Sequence, residues 1–106
     1  MSNLTVTIYV LRDAVGAVLY VGLTTDLHRR FQNFGYKHQW FREDVADVRT
    51  YDVPLHRGPT EEADAIRQLR PLHNRAGLTS AYKPPNAHSL EWFAKRALRR
   101  RNKQAA

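Results

Sequence analysis

The sequence predicts one small domain of the α/β type, in which strands and helices share one core, and three observations support this. Apolar and polar side chains alternate along residues 4–11, as in a strand with one buried face. Apolar residues recur at helical spacing in residues 24–34 and again in residues 59–69. The chain has 106 residues, 42% of them hydrophobic, which suits a single packed core.

The first two strands are expected to form a hairpin. "LTVTIYVL" at 4–11 is the outgoing strand, "DAVG" at 13–16 is the turn, and "AVLYVG" at 17–22 is the returning strand. With a loop of two or four residues, Tyr9 lies directly opposite Tyr20, on the face away from the apolar residues of the first strand. A bulge would break this direct pairing.

Capping residues, apolar periodicity and prolines predict the remaining elements. A helix follows the hairpin, with Thr24 or Thr25 as its N-cap and Arg30 at the border between its apolar stripe and solvent. We expect four further elements: a short helix at 38–44, a strand at 46–53, a helix at 59–69 capped by Thr60, and a helix from about Ser89.

Glu62 is a carboxylate on an apolar helix stripe. The residues that follow it at i+3, i+4 and i+7 are Ala65, Ile66 and Leu69, whereas Glu61 points about 100° away. A carboxylate on a core-facing stripe is costly unless it pairs, binds metal or lines a cleft. Alternatively, Glu62 lies in the first helical turn and only interacts with the helix dipole. Its position alone favours neither interpretation.

The charge of the chain points to a polyanionic partner. The formal net charge is +7 and the sequence pI is about 10.3, values typical of domains that bind nucleic acid or an anionic surface. Arg29 and one face of the last predicted helix are the candidate nucleic-acid contacts, although that face could serve solubility alone. The residues on this helix face are Trp92, Lys95, Arg96, Arg99 and Lys103.

Several classes of protein are excluded or disfavoured. The chain has no cysteine, which excludes disulfides, zinc–thiolate sites and a cysteine nucleophile. No apolar run approaches the roughly 20 residues that span a bilayer, and the N-terminus has no basic region or cleavage site of a signal peptide. We therefore expect a cytoplasmic protein without a membrane partner.

Two tyrosines on one strand face, an arginine at a helix border and an inward carboxylate suit phosphate chemistry. In this setting "TIY" (7–9) and "YVG" (20–22) resemble the two signatures of the GIY-YIG nuclease family. "YVGLTTDLHRRF" (20–31) and "EADAIRQLRPLHN" (62–74) resemble two longer blocks of the same family, and all blocks occur in the family's order.

The resemblance implies a three-stranded antiparallel sheet flanked by helices and a metal-dependent endonuclease. Glu62 would hold one Mg²⁺ or Mn²⁺ ion, Arg30 would stabilise phosphoryl charge, and Asn74 would brace the site. Tyr9 and Tyr20 would position and deprotonate the attacking water, with Tyr9 slightly favoured as the base.

The chain departs from the family pattern in places. Thr7 replaces a glycine, Asp26 an asparagine and His73 a tyrosine, and Phe34 stands where relatives often carry a histidine or tyrosine near the scissile phosphate. Tyr36 or His38 could substitute for that missing polar group.

The leading hypothesis is a nuclease domain at residues 1–82, with a linker and basic helix at 83–106 packed on it, acting on nucleic acid, with DNA favoured. The alternatives are a nucleic-acid-binding protein of weak or no catalytic activity on the same fold, and an accessory subunit of a larger nuclease complex with a protein partner.

Overall fold

The computed structural model describes residues 4–74 and, further along the chain, Lys95 and Arg99. The elements of residues 4–74 are β1 (Thr5–Arg12), β2 (Val18–Thr24), α1 (Leu27–Lys37), α2 (Gln39–Asp44), β3 (Asp47–Pro54), a 3-10 turn (Leu55–Arg57) and α3 (Gly58–Leu69). The strands form one antiparallel sheet in the order β2-β1-β3. The predicted α+β class is therefore confirmed. None of the helices described is long and apolar enough to cross a membrane.

The register of the hairpin differs from the predicted one. Tyr9 lies opposite Gly22, and Tyr20 lies opposite Leu11, because the register shifts at a bulge between Leu11 and Arg12. The direct Tyr9–Tyr20 pairing predicted from the sequence is wrong by two residues. A shift by two keeps every side chain on its face, so both tyrosines still lie on the same face of the sheet.

The hairpin loop explains the shifted register. Residues 13–17 form a five-residue loop, in which the Asp13 carboxylate accepts hydrogen bonds from the backbone N–H groups of Val15 (3.1 Å) and Ala17 (2.9 Å). Gly16 has φ +89°, a value that only glycine adopts readily. An odd-numbered loop with a bulge is incompatible with the symmetric two- or four-residue loop that the sequence suggested.

Two clusters of side chains cover the two faces of the sheet. The aliphatic cluster lies under α3 and contains Val6, Ile8, Val10, Val21, Leu23 and Ile66. The aromatic cluster lies under α1 and α2; its buried members are Tyr9, Leu11 and Phe34, and its partly buried members include Tyr20, Phe31, Trp40 and Phe41. The sequence predicted one buried face for the first strand, but the middle of β1 is covered on both faces, and residues 8–11 are all buried.

Two helix caps differ from the predicted ones. The N-cap of α1 is Asp26, whose carboxylate accepts a hydrogen bond from the N–H of Arg29 at 3.2 Å. Thr24 instead accepts a hydrogen bond from the N–H of Asp26 through its hydroxyl at 3.0 Å. Helix α3 begins at Gly58, with Pro59 in its first turn, so Thr60 lies inside the helix and does not cap it. Proline suits this position because the first N–H groups of a helix have no intrahelical partner.

The predicted basic helix falls mostly on residues that the structure does not describe. Lys95 and Arg99 are helical and exposed. Trp92, Arg96 and Lys103, the docking of residues 83–106 and the boundary at residue 82 lie outside the described residues.

Candidate functional site

Tyr9 and Tyr20 are diagonal neighbours on the aromatic face of the hairpin. Their ring centroids are 6.0 Å apart and the ring planes differ by 21°. Tyr9 is 1% exposed, whereas Tyr20 at the outer strand is only partly buried. Diagonal pairs of large side chains lie within contact distance across antiparallel strands. The two tyrosines are therefore in contact, but as diagonal neighbours and not as the directly opposite pair that the sequence predicted.

Gly22 allows the Tyr9 ring to cross the outer strand. A Cβ atom added at Gly22 would lie 2.2 Å from both Cζ and Oη of Tyr9. Real Cβ atoms do not approach other atoms this closely, so any larger residue at this position would displace the ring. The glycine of "YVG" is therefore needed for the close approach of a side chain.

The two tyrosine hydroxyls affect each other's pKa. Burial, the largest cause, raises the pKa of both side chains above the ordinary value. The side-chain hydrogen bond between the two hydroxyls is the smallest cause for each; it raises the pKa of Tyr9 and lowers the pKa of Tyr20. Tyr20 is also the less buried of the two.

Arg30 approaches the two tyrosines from α1. Its guanidinium Cζ lies 5.9 Å from the centre of the Phe34 ring, one helical turn further on. The positive charge of Arg30 lowers the pKa of both Tyr9 and Tyr20. Phe34 is 6% exposed and contacts both tyrosine rings. The apolar residue at this position therefore supports the arginine and the tyrosines by packing.

Glu62 approaches the same hydroxyls from α3. Because the helix begins at Gly58, Glu62 lies beyond its first turn, which contains Glu61. Glu62 is 9% exposed and its negative charge raises the pKa of both Tyr9 and Tyr20. The inward interpretation of Glu62 is thus the one that the structure supports. The charges of Arg30 and Glu62 thus both affect the hydroxyls of Tyr9 and Tyr20. We call these four residues the tyrosine site.

Asn74 holds the outer edge of β2. Its side-chain amide donates to the carbonyl of Val21 and its Oδ1 accepts from the N–H of Val21, both at 2.8 Å. The backbone N–H groups of Leu72 and His73 donate to the carbonyls of Val18 (3.2 Å) and Leu19 (2.9 Å). Asn74, which is itself only 9% exposed, thus holds Val21, the residue next to Tyr20, in place.

A stack of rings supports Tyr20, and sequence reasoning missed it. Trp40 lies between His73, whose ring is stacked on it at 4.2 Å, and Tyr20 at 5.9 Å. His38 also packs against Trp40 at 5.4 Å. Trp40 and His73 are far apart in the sequence and share no periodic pattern, so no sequence signal could have paired them.

The two suggested substitutes for a polar residue at position 34 lie in different surroundings. Tyr36 is 89% exposed and His38 packs against Phe34 at 5.1 Å between ring centroids. Tyr36 follows Phe34 by two residues, about 200° around the helix, so its ring points away from the tyrosine site. Arg29, a predicted nucleic-acid contact, is exposed on the same helix.

The donor set at Glu62 fits a cation held by one carboxylate. No group of three or more His, Asp or Glu side chains that could hold a metal occurs among the residues described. Mg²⁺ keeps several waters and is often held by only one or two carboxylates together with substrate phosphates. A single buried carboxylate beside two hydroxyls is compatible with that arrangement, in which the substrate would supply the remaining oxygen ligands.

Comparisons with known proteins identify no relative. No protein-family model matches the chain, and comparisons with curated proteins and with solved structures find no match either. The similarity to GIY-YIG nucleases therefore rests on the motif residues and stays a prediction.

Proposed function

We propose that the chain is a metal-dependent endonuclease that hydrolyses phosphodiester bonds in nucleic acid, with DNA as the favoured substrate. The main support for this proposal is that one positively and one negatively charged side chain both affect the same two tyrosine hydroxyls. Arg30 and Glu62, from helices on opposite faces of the sheet, both act on the pKa of Tyr9 and Tyr20. A positive side chain, a carboxylate that can hold a metal ion and two hydroxyls that can transfer protons can together catalyse hydrolysis of a phosphodiester.

Each residue has a chemical role in this proposal. Glu62 would hold one Mg²⁺ or Mn²⁺ ion, which when bound would supply positive charge beside the phosphate and the attacking water. Arg30 would neutralise charge that develops on the phosphoryl oxygens. Asn74 would act as a positioning residue, because it contacts the backbone of β2 and not the hydroxyls.

Tyr20 is the better candidate for the general base. Burial is the largest cause that raises the pKa of both tyrosines, and Tyr20 is less buried than Tyr9. Their mutual hydrogen bond also lowers the pKa of Tyr20 and raises the pKa of Tyr9. The resemblance slightly favoured Tyr9, whereas the environments of the two hydroxyls favour Tyr20.

The experiment that tests the proposal compares Glu62→Gln with Glu61→Gln. Both variants are incubated with duplex, flap, junction and single-stranded oligonucleotides, with Mg²⁺, with Mn²⁺ and with chelator. We expect the unsubstituted protein and Glu61→Gln to cleave at least one substrate only when metal is present. Glu62→Gln should cleave none, because it lacks the buried negative charge that would hold the ion.

Glu61 is a matched control because it lies next to Glu62 but forms a surface ion pair with Arg57 at 3.0 Å. Metal-dependent cleavage by Glu62→Gln at the rate of the unsubstituted protein would disprove the assigned role of Glu62. Absence of cleavage of every substrate by the unsubstituted protein would disprove the nuclease proposal itself.

A nucleic-acid-binding protein without turnover is the second candidate, and one observation favours it. Burial raises the pKa of both tyrosines, so neither hydroxyl gives up its proton readily near neutral pH. In the same experiment, this candidate predicts binding to oligonucleotides without any metal-dependent cleavage.

A further inference from the structure

The outward face of α1 carries a tyrosine whose side chain is almost fully exposed to solvent. Tyr36 is 89% exposed and lies seven residues, or two helical turns, after Arg29 on the same face of α1. Gln32 and Asn33, the residues between them on this face, are exposed as well. Large aromatic rings contribute to stability mainly through burial, so a ring this exposed contributes little to the fold of residues 4–74.

The positive charge on α1 is not neutralised by neighbouring side chains. Arg29 and Lys37 are exposed and make no ion pair with any residue in 4–74. By contrast, three arginines on β3, the 3-10 turn and α3 each pair with a carboxylate at 3.0–3.3 Å: Arg49 with Asp47, Arg57 with Glu61 and Arg67 with Asp64.

Three arginines outside α1 also make no ion pair within residues 4–74, namely Arg12, Arg42 and Arg70. None of them belongs to a helix or strand with a highly exposed aromatic ring. The combination of unneutralised cations and an exposed ring is therefore specific, among the elements described, to α1. This is the helix that also carries Arg30 of the tyrosine site.

We propose that this outward face of α1 binds an unpaired, single-stranded stretch of nucleic acid next to the tyrosine site. Tyr36 stacks on a base, Arg29 on the same face contacts one adjacent phosphate, and Lys37, about 100° further around the helix, contacts the other. The bases of a duplex are already stacked on both faces, so an exposed ring recognises an unpaired base. The proposal rests on the proposed function and adds a substrate class to it: branched or partly single-stranded nucleic acid.

The other exposed tyrosine provides a contrast within the same molecule. Tyr51 on β3 is 42% exposed, and after burial the next cause that raises its pKa is the negative charge of Glu61. A ring beside a carboxylate is a poor place for a phosphate backbone. Tyr51 therefore serves as a matched control for Tyr36.

The test measures the binding of labelled oligonucleotides by fluorescence anisotropy, in the presence of chelator so that no strand is cleaved. The probes are an oligo-dT single strand, a duplex with a single-stranded flap and a blunt duplex. We expect Tyr36→Ala to weaken binding of the first two by roughly tenfold, within the range of single base–aromatic stacks, and to leave the blunt duplex unchanged. Tyr36→Phe and Tyr51→Ala should bind all three probes as the unsubstituted protein does.

Arg29→Gln tests the phosphate contact separately. It should weaken binding and reduce the slope of log affinity against log salt by about 0.7 on the single strand. Arg67→Gln is its control, since Arg67 is paired with Asp64. Thermal melting of each variant checks the fold, which an 89% exposed side chain should not affect.

Three outcomes would overturn the proposal. Unchanged single-strand binding by Tyr36→Ala, with an unchanged oligomeric state, would show that the face contacts water only. An equal loss on all three probes would show duplex contact without stacking. Unchanged binding together with an altered oligomeric state of Tyr36→Ala would identify a protein interface. Each of these outcomes is independent of the Glu62→Gln result, so failure of this proposal and failure of the nuclease proposal can be told apart.

Discussion

The two faces of the sheet have the same architecture and different chemistry. On one face, α3 covers the aliphatic cluster of valines, leucines and isoleucines. On the other face, α1 and α2 cover the aromatic cluster, whose rings pack edge to face and stack at centroid distances between 5.2 and 6.3 Å around Tyr9, Tyr20 and Phe34.

The difference lies in what each side chain carries at its tip. An aliphatic side chain contributes burial alone, whereas a tyrosine buries its ring and keeps a hydroxyl at the far end. The aromatic face can therefore contribute to stability and also direct two hydroxyls towards the charges of Arg30 and Glu62. Substitutions on the aliphatic face should change stability, and minimal substitutions on the aromatic face should change activity.

The largest expected effect on stability is that of Ile66→Ala in the aliphatic cluster. Ile66 is 1% exposed, and removal of a buried isoleucine side chain beyond Cβ typically costs about 2–5 kcal/mol. Chemical denaturation should show this decrease in the free energy of unfolding. Leu69→Ala, on the same helix but 38% exposed, should cost clearly less; equal losses would contradict the assignment of α3's buried face.

The hydroxyls of the aromatic cluster are tested by Tyr9→Phe and Tyr20→Phe. Each change keeps the ring and its packing, so both variants should unfold at nearly the same denaturant concentration as the unsubstituted protein. Tyr20→Phe should lower the cleavage rate by about 100-fold or more, the usual scale for an acid–base group, and Tyr9→Phe should lower it less. Full activity of both variants would leave the tyrosines with a packing role only.

Gly22→Ala should affect both stability and activity, because Gly22 lies on β2 directly opposite Tyr9. The added methyl group would overlap the Tyr9 ring, and overpacking of this kind typically costs about 1–3 kcal/mol. Displacement of the ring should also slow cleavage. The control is Gly35→Ala in α1, where a Cβ meets nothing within 4 Å and where alanine should stabilise the helix by about 0.5–1 kcal/mol.

The smallest effect is the dependence of stability on pH. Burial raises the pKa of Tyr9 and Tyr20 above the ordinary value near 10, so above about pH 10 the unfolded chain loses protons that the folded chain retains. The free energy of unfolding should then fall as pH rises, by at most about 1.4 kcal/mol per pH unit for each tyrosine. Urea denaturation between pH 9 and 11 should give a shallower fall for Tyr9→Phe than for Tyr36→Phe.

Periodicity predicted the elements and the faces of this fold. Alternation placed Tyr9 away from Ile8, and the helical stripe placed Glu62 with Ile66; both placements hold in the structure. These face assignments are reliable because many apolar side chains along one element are buried together, and their combined burial outweighs the preference of any single residue. A two-residue error in register left them intact.

Local hydrogen bonding decided what periodicity could not. The Asp13 carboxylate organises a five-residue loop, and Asp26, rather than either preceding threonine, caps α1. Thr24, Thr25 and Asp26 are all acceptable cap residues, so sequence alone could not choose among them. The ring stack of Trp40 on His73 depends on tertiary packing and left no local pattern to read.

The two hydrogen bonds between Asn74 and Val21 have a consequence for how the protein opens locally. An outermost strand usually frays, because one row of its backbone groups faces solvent and exchanges hydrogen rapidly. Here the side chain of Asn74 occupies the place of a neighbouring strand at the residue beside Tyr20. We therefore expect the amide hydrogen of Val21 to exchange as slowly as one inside a sheet, and this part of β2 to open only when the residues following α3 detach. Fraying at the edge of the sheet should then leave the two tyrosine hydroxyls in place.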